Sequence, residues 1–508
     1  MVAASPFSHG WRAMSRIVPN AEGPYRRLSH TTGEPHQVRT DLTEATPGES
    51  RSLLRFVHIT DFQLADPASP GRLDFLQRFA GEPEWADMLP AYRPQEPVSL
   101  HAFEAMVRTI RELGGLDFVI TTGDNTDSAA LNELDAYMSI MDGGGTVDPT
   151  FGVSDLQAIP AHIESGDYWN PELSSRDVYK RHLEFPDYPG LLAAAGKSFD
   201  TVGFGAPWLA CFGNHDCLAQ GRAPETSKFH DLITGGHRPT AAPDAPPAGD
   251  KMEHYLADPT FLSGGAGVQI EPRADRRMVS RAEYIRAHLD SATGPAGHGF
   301  TEQNIADGTA YYSHDLPGVR VIVLDSTNPA GGVRGSIDAR QFAWLEGELT
   351  EAQAAGRIIV LASHHGLSMM DNVLGDERRY LAADIEGLLH RFPNVALWLI
   401  GHIHRNQATP RPGANGGFWE VCTSAMAEWP TQTRLIELSE AGGVVTIRCT
   451  MIDHQAPVQP GAELNLWDLA SIHREVSANE PTRVGGPESA GTPLDRNVDL
   501  LVRIVDRA

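Results

Sequence analysis

The sequence predicts an α/β fold, on three observations. Short apolar runs rich in Val, Ile, Leu and Phe recur along the chain, bounded by turn residues. Segments of helical periodicity separate several of these runs. Five of the runs end in a short block containing Asp, Asn or His. Runs of this kind suit strands covered on both faces, and strands alternating with helices suit parallel sheets.

Strands are expected at 53–60, 118–122, 208–212, 319–325, 358–362, 396–400, 418–423, 434–438 and 444–451. The last three follow one another without helices and predict an antiparallel flank. Ser99 is placed to cap a helix whose Leu100, Phe103, Met106, Val107, Ile110 and Leu113 recur at helical spacing, with Gly114 and Gly115 ending it. A second helix is expected from Ser336, burying Phe342, Trp344, Leu345 and Leu349, and a third at 382–390.

The expected organisation is a polar extension at 1–50, one large domain at 51–452 and a C-terminal extension at 453–508. Within the last, 494–505 is patterned to dock as a final strand or helix. Two long stretches, about 128–205 and 218–298, break the strand-helix alternation. Long insertions in compact domains are often functional, so they are expected to cap a site.

Composition limits the function. The 508 residues carry 41 Lys plus Arg against 66 Asp plus Glu, a net charge of −25. Such a chain is repelled on average by nucleic acid, so no bulk nucleic-acid binding is expected. No apolar run reaches the length of a membrane span, and 1–50 lacks the apolar core of a secretory signal. Four cysteines in 508 residues fit a reducing cytoplasm. Cys211 and Cys217, flanking one of the blocks, read as small core residues.

The five blocks carry the chemistry. Asp61 ends the first strand and offers a hard carboxylate. Gly123-Asp124 follows the second, and one Asp bridging two ions would set them ~3.5–4 Å apart, the spacing of two-metal hydrolases. Asp127 lies three residues on. Asn214 offers a neutral carbonyl oxygen, and His215 is free to act as an acid, with a carboxylate such as Asp127 to fix its tautomer and raise its pKa. His364-His365 ends another strand, with His364 the expected ligand and His365 an outer contact. In Gly401-His402-Ile403-His404, residues two apart face the same way in extended chain, so both histidines can reach a metal. Each block alone has a bland reading as a turn or cap. Their occurrence together, in order, is what points to two divalent cations.

Together the blocks resemble the calcineurin-like metallophosphoesterases. That family's pattern is Asp-X-His, Gly-Asp-X-X-Asp, Gly-Asn-His-Asp/Glu, a His block and Gly-His-X-His. The stretch Gln341-Phe342-Ala343-Trp344-Leu345 resembles the family's Gln-X-X-Trp-Leu helix. The resemblance covers roughly 53–451, the two insertions apart. It implies a four-layer α/β/β/α sandwich of two mixed sheets with the site on one edge. It also implies one metal on Asp61, Gln63, Asp124 and His404 and another on Asp124, Asn214, His364 and His402. A metal-bridging hydroxide would attack a phosphomonoester or phosphodiester, with His215 assisting the leaving group and Asp127 orienting it.

The sequence departs from the pattern at Gln63, where the family has His. A carboxamide oxygen is harder than imidazole, so Mn²⁺ is expected, with Mg²⁺, Fe or Zn²⁺ as alternatives. The expected partner is a small phosphorylated substrate, and oligomeric state stays open. The competing reading, from Gln63 alone, is a non-catalytic binding protein on the same fold with a degenerate first metal site.

Overall fold

The computed structural model describes residues 15–20, 23–44, 48–89, 91–153, 166–172, 177–414, 416–481 and 486–504. Two sheets form its centre. Strands β1 (Gln37–Arg39), β2 (Arg51–Ile59), β3 (Phe118–Thr121) and β4 (Trp208–Leu209) open the first sheet. The second is built from β5 (Tyr312–Leu316), β6 (Val319–Val323), β7 (Ile358–Ala362), β8 (Val395–Ile400), β9 (Gln407–Gly413) and β10 (Gly416–Cys422). The chain then returns to the first with β11 (Gln432–Ala441), β12 (Val444–Asp453) and β13 (Val498–Arg503). The first sheet runs β1-β13-β12-β11-β2-β3-β4 and the second β5-β6-β7-β8-β10-β9. Each contains a run of parallel neighbours: β2, β3 and β4 in one, β6, β7, β8 and β10 in the other.

The longer helices are α1 (Ser99–Leu113), α2 (Leu131–Asp142), α3 (Arg281–Leu289), α4 (Ala339–Ala354), α5 (Ala382–Leu389) and α6 (Leu466–Ser477). Strand periodicity explains the layers. Val321, Val323, Val360, Ala362, Leu397 and Leu399 join the core shared with Val57 and Ile59 of the first sheet. Their sequence neighbours Ile322, Ile359, Leu361 and Trp398 pack the other way, in a cluster with Leu345 and Leu349 of α4 and Ile385 and Leu388 of α5. Alternation of side chains along a strand gives one sheet two buried faces, each such aliphatic side chain contributing about 1.5–3 kcal/mol. On the first sheet, α1 buries the apolar positions expected of it. The four-layer α/β/β/α sandwich follows.

Helix starts follow local chemistry. The helix expected from Ser336 begins at Ala339, because Asp338 caps it by accepting from the Gln341 amide at 2.8 Å. The side chain of Gln341 then bonds both backbone groups of Asp325, at 2.8 and 2.7 Å, pinning the chain just past β6.

The structure corrects three expectations. The last three predicted strands do not form one antiparallel flank: β10 lies parallel to β8 in the second sheet, and β11 and β12 extend the first. Three edge strands, β1, β5 and β9, were not anticipated. β9 contains Pro410 and Pro412, which an edge position tolerates because no ladder bond is lost on the open side. A third non-repetitive stretch joins β2 to α1, with short helical turns at Asp74–Phe79, Pro83–Met88 and Glu96–Val98.

The terminal segments take part in the sandwich. β1 pairs with β13, and β13 with β12, so the segment expected to dock at 494–505 does so as a strand. The insertions build a second core. Leu73, Phe75, Trp85 and Tyr92 from the β2–α1 stretch meet Tyr168, Trp169 and Tyr179 of one insertion, Phe229 and Tyr255 of the other, and Leu469, Ile472 and Val476 of α6. Among the described residues no helix is long and apolar enough to cross a membrane.

Helix α3 carries His288, which is fully buried against Trp208, Tyr284 and Phe300. Burial pushes His288 down to about 3, so it is neutral when folded and takes up a proton on unfolding below about pH 6.5. Its contribution is therefore full above that pH and is lost as pH falls toward 3, at up to about 1.4 kcal/mol per unit. Urea unfolding of wild type and His288→Phe between pH 7 and 4.5 should show a shallower pH slope in the variant by about one proton. Equal slopes would mean that His288 is not held neutral.

Candidate metal centre

All five blocks lie at the C-terminal ends of parallel strands, where the two sheets meet. Ile59, Thr121 and Leu209 end β2, β3 and β4, and Ala362 and Ile400 end β7 and β8. The chain then turns sharply. Asp61, Gln63, Asp124, His402 and His404 all have positive φ, between 41° and 67°. For side chains of this size that costs roughly 1–3 kcal/mol each and persists only where surroundings enforce it. The enforcement is a set of loop-to-loop bonds. The Asp61 amide donates to Gly123 O (3.2 Å), Gln63 to Asp124 O (2.8 Å), Gly401 to His364 O (3.0 Å) and Ala427 to Asp61 O (3.1 Å). Two glycines permit the close approach. A Cβ on Gly213 would lie 2.2 Å from Asp124 Oδ1, and one on Gly401 2.6 Å from Asp61 Oδ2.

Asp216 staples two of the loops together. Its carboxylate accepts from the amides of Gly213 (2.9 Å), Asn125 (3.0 Å) and Thr126 (3.0 Å). Burial, with Asp124 nearby, raises it to about 7.

The loops bring the expected ligands together. Asp61, Asp124 and His364 present oxygen or nitrogen atoms within 4.8 Å of one another, and so do His364, His365 and His402. His364 Nε2 lies 3.0 Å from Asp124 Oδ2 and 3.1 Å from His402 Nδ1. His404 Nε2 lies 3.3 Å from Asp61 Oδ1. Gln63 Nε2 lies 3.4 Å from Asp124 Oδ2.

The donor chemistry fits divalent cations. Asn214 gives its amide hydrogen to Gly221 O (2.9 Å), while its Oδ1 is buried without a hydrogen-bond partner among the described residues. A buried carbonyl oxygen left open in this way suits a cation. His364 donates its outer nitrogen Nδ1 to Thr122 O (2.8 Å), which leaves Nε2 as the atom that could face a cation. His365 differs. Its Nδ1 meets Ser326 Oγ at 2.8 Å and its Nε2 meets Val333 O at 3.1 Å, so both ring nitrogens have protein partners. Burial opposes charge on His364 and His404, but Asp124 lifts the first to about 9, and Glu428 with Asp61 lifts the second to about 10. His402 is pushed the other way, well below its ordinary value, by burial and by His365 and His364, so the positive charge is favoured beside the carboxylates and not throughout the cluster.

His215 sits beside this cluster, its backbone amide donating to Asp124 Oδ1 (2.9 Å). Its Nδ1 donates to the main-chain carbonyl of Asp127 at 2.6 Å, and the Asp127 carboxylate is 4.0 Å away. The tautomer is therefore fixed by a carbonyl rather than by the carboxylate that the sequence suggested. Burial pushes His215 down, against the pull of Asp124 and Asp127, where a raised value was expected. The Asp127 carboxylate is taken up by Arg72 (2.5 Å) and Gln220 (2.5 Å).

Several residues at the site carry no motif. Glu428 accepts from His404 Nδ1 (2.9 Å) and from Arg93 Nε (2.8 Å). Arg93 and Arg72 come from the stretch between β2 and α1, and Gln220 from the second insertion. Their only sequence signal is the length of those stretches. A carboxylate behind a ligating histidine fixes its tautomer and raises its basicity. Glu428→Gln should therefore lower Mn²⁺ affinity about 10- to 100-fold in calorimetric titration. Unchanged affinity would mean that His404 is not a ligand.

The calcineurin-like phosphoesterase family profile matches residues 54–406, well over half of the chain. A probable cyclic nucleotide phosphodiesterase from Synechococcus sp. (strain WH7803) is 33% identical over 144 residues, covering 25% of this chain and 52% of the relative. The chain thus spans about half the length of that curated relative. Among solved structures, a dimetal phosphatase from Danio rerio covers 80% of this chain and 100% of its own, at 12% identity and a TM-score of 0.37. A putative 5'-nucleotidase from Staphylococcus aureus covers 79% of this chain and 54% of its own, at 13% identity and a TM-score of 0.30. The family match over residues 54–406, which takes in all five blocks, shows that the chain belongs to the calcineurin-like phosphoesterase family.

Proposed function

We propose that the chain is a metal-dependent phosphohydrolase that cleaves a small phosphodiester or phosphomonoester at a dinuclear centre, with Mn²⁺ the preferred ion because the carboxylates of Asp61 and Asp124 and the carbonyl of Asn214 are hard oxygen donors. The observation that carries this reading is the gathering of Asp61, Asp124, His364 and His402, with His404 3.3 Å from Asp61, while Asn214 Oδ1 is left buried without a hydrogen-bond partner among the described residues. Two bound cations would supply charge neutralisation and a nucleophilic water. Asp124 lies between the two ligand groups and is the candidate bridge. Asp61 and His404 would hold one ion, and Asn214, His364 and His402 would hold the other.

The chain's own contribution to the chemistry is positioning and proton transfer. With Nδ1 of His215 committed to Asp127 O, Nε2 is the nitrogen that can give a proton to the departing alkoxide. Asp127 acts on His215 through its carbonyl, while Arg72 and Gln220 hold its carboxylate. The relative described as a probable cyclic nucleotide phosphodiesterase makes diesters the first substrates to try.

The test is turnover by metal-stripped full-length protein of bis(p-nitrophenyl) phosphate, p-nitrophenyl phosphate and a 3',5'-cyclic nucleotide, with Mn²⁺, Mg²⁺ or Zn²⁺ restored. Manganese-dependent turnover is expected, with kcat reduced about 10²- to 10⁴-fold in His215→Ala and abolished in Asp124→Asn. A folded, metal-loaded protein inert on all three substrates would favour the binding-protein reading that Gln63 suggests.

A further inference from the structure

We propose that Gln63 is not a metal ligand but the acceptor that holds Arg93, so that the first cation rests on Asp61, Asp124 and His404 alone and binds more weakly than the second. This rests on the two-cation reading above and concerns how the two positions differ.

The carboxamide of Gln63 has one oxygen, and that oxygen accepts from Arg93 Nη2. Its NH₂ is turned toward Asp124 Oδ2, at 3.4 Å. An NH₂ donates and cannot ligate a cation. Exchanging the two ends would set NH₂ against a guanidinium and the carbonyl against a carboxylate, replacing two attractive contacts with two repulsive ones. The neighbours therefore fix the orientation.

Arg93 is not free to move aside. Its Nε donates to Glu428 Oε1 at 2.8 Å, and its Nη1 lies 3.7 Å from Asp127 Oδ1. Its side chain is 15% exposed. The backbone of Gln63 is held as well, at φ 41° with its amide on Asp124 O at 2.8 Å. Glu428 serves both groups, since its other oxygen takes His404 Nδ1. The guanidinium thus reaches the edge of the first cation position and adds a positive charge that disfavours a second one nearby. On the other side Asp124, His364, His402 and the open Asn214 oxygen offer four donors. Three donors beside a fixed cation against four without one make the positions unequal.

The experiment is calorimetric titration of the metal-stripped full-length protein with Mn²⁺, with bound manganese counted by elemental analysis after gel filtration. Wild type should bind two ions in two steps, the weaker by at least about 10-fold. Gln63→Ala and the near-isosteric Gln63→Met should leave the weaker step within about 2-fold, whereas loss of a true ligand in Asp61→Asn should weaken it by at least about 10-fold. Two ions of equal affinity in wild type, or a weaker step lost in both Gln63 variants while their melting temperatures hold, would overturn the proposal and leave the dinuclear reading standing. No manganese bound by wild type would overturn both.

Discussion

Burying carboxylates is costly unless each is paired or bonded, and this site buries Asp61 and Asp124 side by side where the two sheets meet. The surrounding structure answers that cost. Thr60 donates its hydroxyl to Asp61 Oδ2 at 2.8 Å, and the His402 amide approaches the same oxygen at 3.1 Å. Asp124 receives the His215 amide and faces His364, and against the cost of burial these neighbours hold it well below the usual carboxylate range. The result is a pocket that stabilises positive charge beside these carboxylates, which is the electrostatic condition for holding cations.

The geometry that places these groups is bought with backbone strain. Five of the candidate ligand positions are left-handed although none is glycine. Ordinary turns would place glycine or asparagine there. Each position carries a polar side chain turned into the site, and the strain is held because the loops are tied to one another. The Asp216 carboxylate contributes most directly, because it gathers amides from both the Asp124 and Asn214 loops. This explains why the third block ends in an acidic residue that ligates nothing.

The strands that lead to the site were legible because period-two burial on both faces leaves continuous apolar runs, and the candidate ligands were legible because they follow those runs immediately. What escaped the sequence is long-range. Nothing local to 416–422 says that this strand joins β8 rather than β11; tertiary contact decides it. β9 was hidden by its prolines. Glu428 and Arg93 carry no motif and reach the site through loop geometry alone. Gln63 was visible as an oddity, but its chemistry depends on Arg93, thirty positions along the chain, and that partner could not be read from spacing.

The position of Asp127 shows what the additions to the sandwich contribute. Its carboxylate is held by Arg72 from the β2–α1 stretch and by Gln220 from the second insertion, and Arg72 is held in turn by Glu96. An acceptor engaged in this way is a poor base, because protonating it would break several charge-assisted bonds. Its carbonyl, in contrast, is the partner of His215. Asp127 therefore couples two things: the cap, through its side chain, and the orientation of His215, through its backbone. The cap in turn packs on α6, near the end of the chain, by way of the second core. Displacing any of these elements would reach His215 through Asp127, so the insertions help set the orientation of its ring.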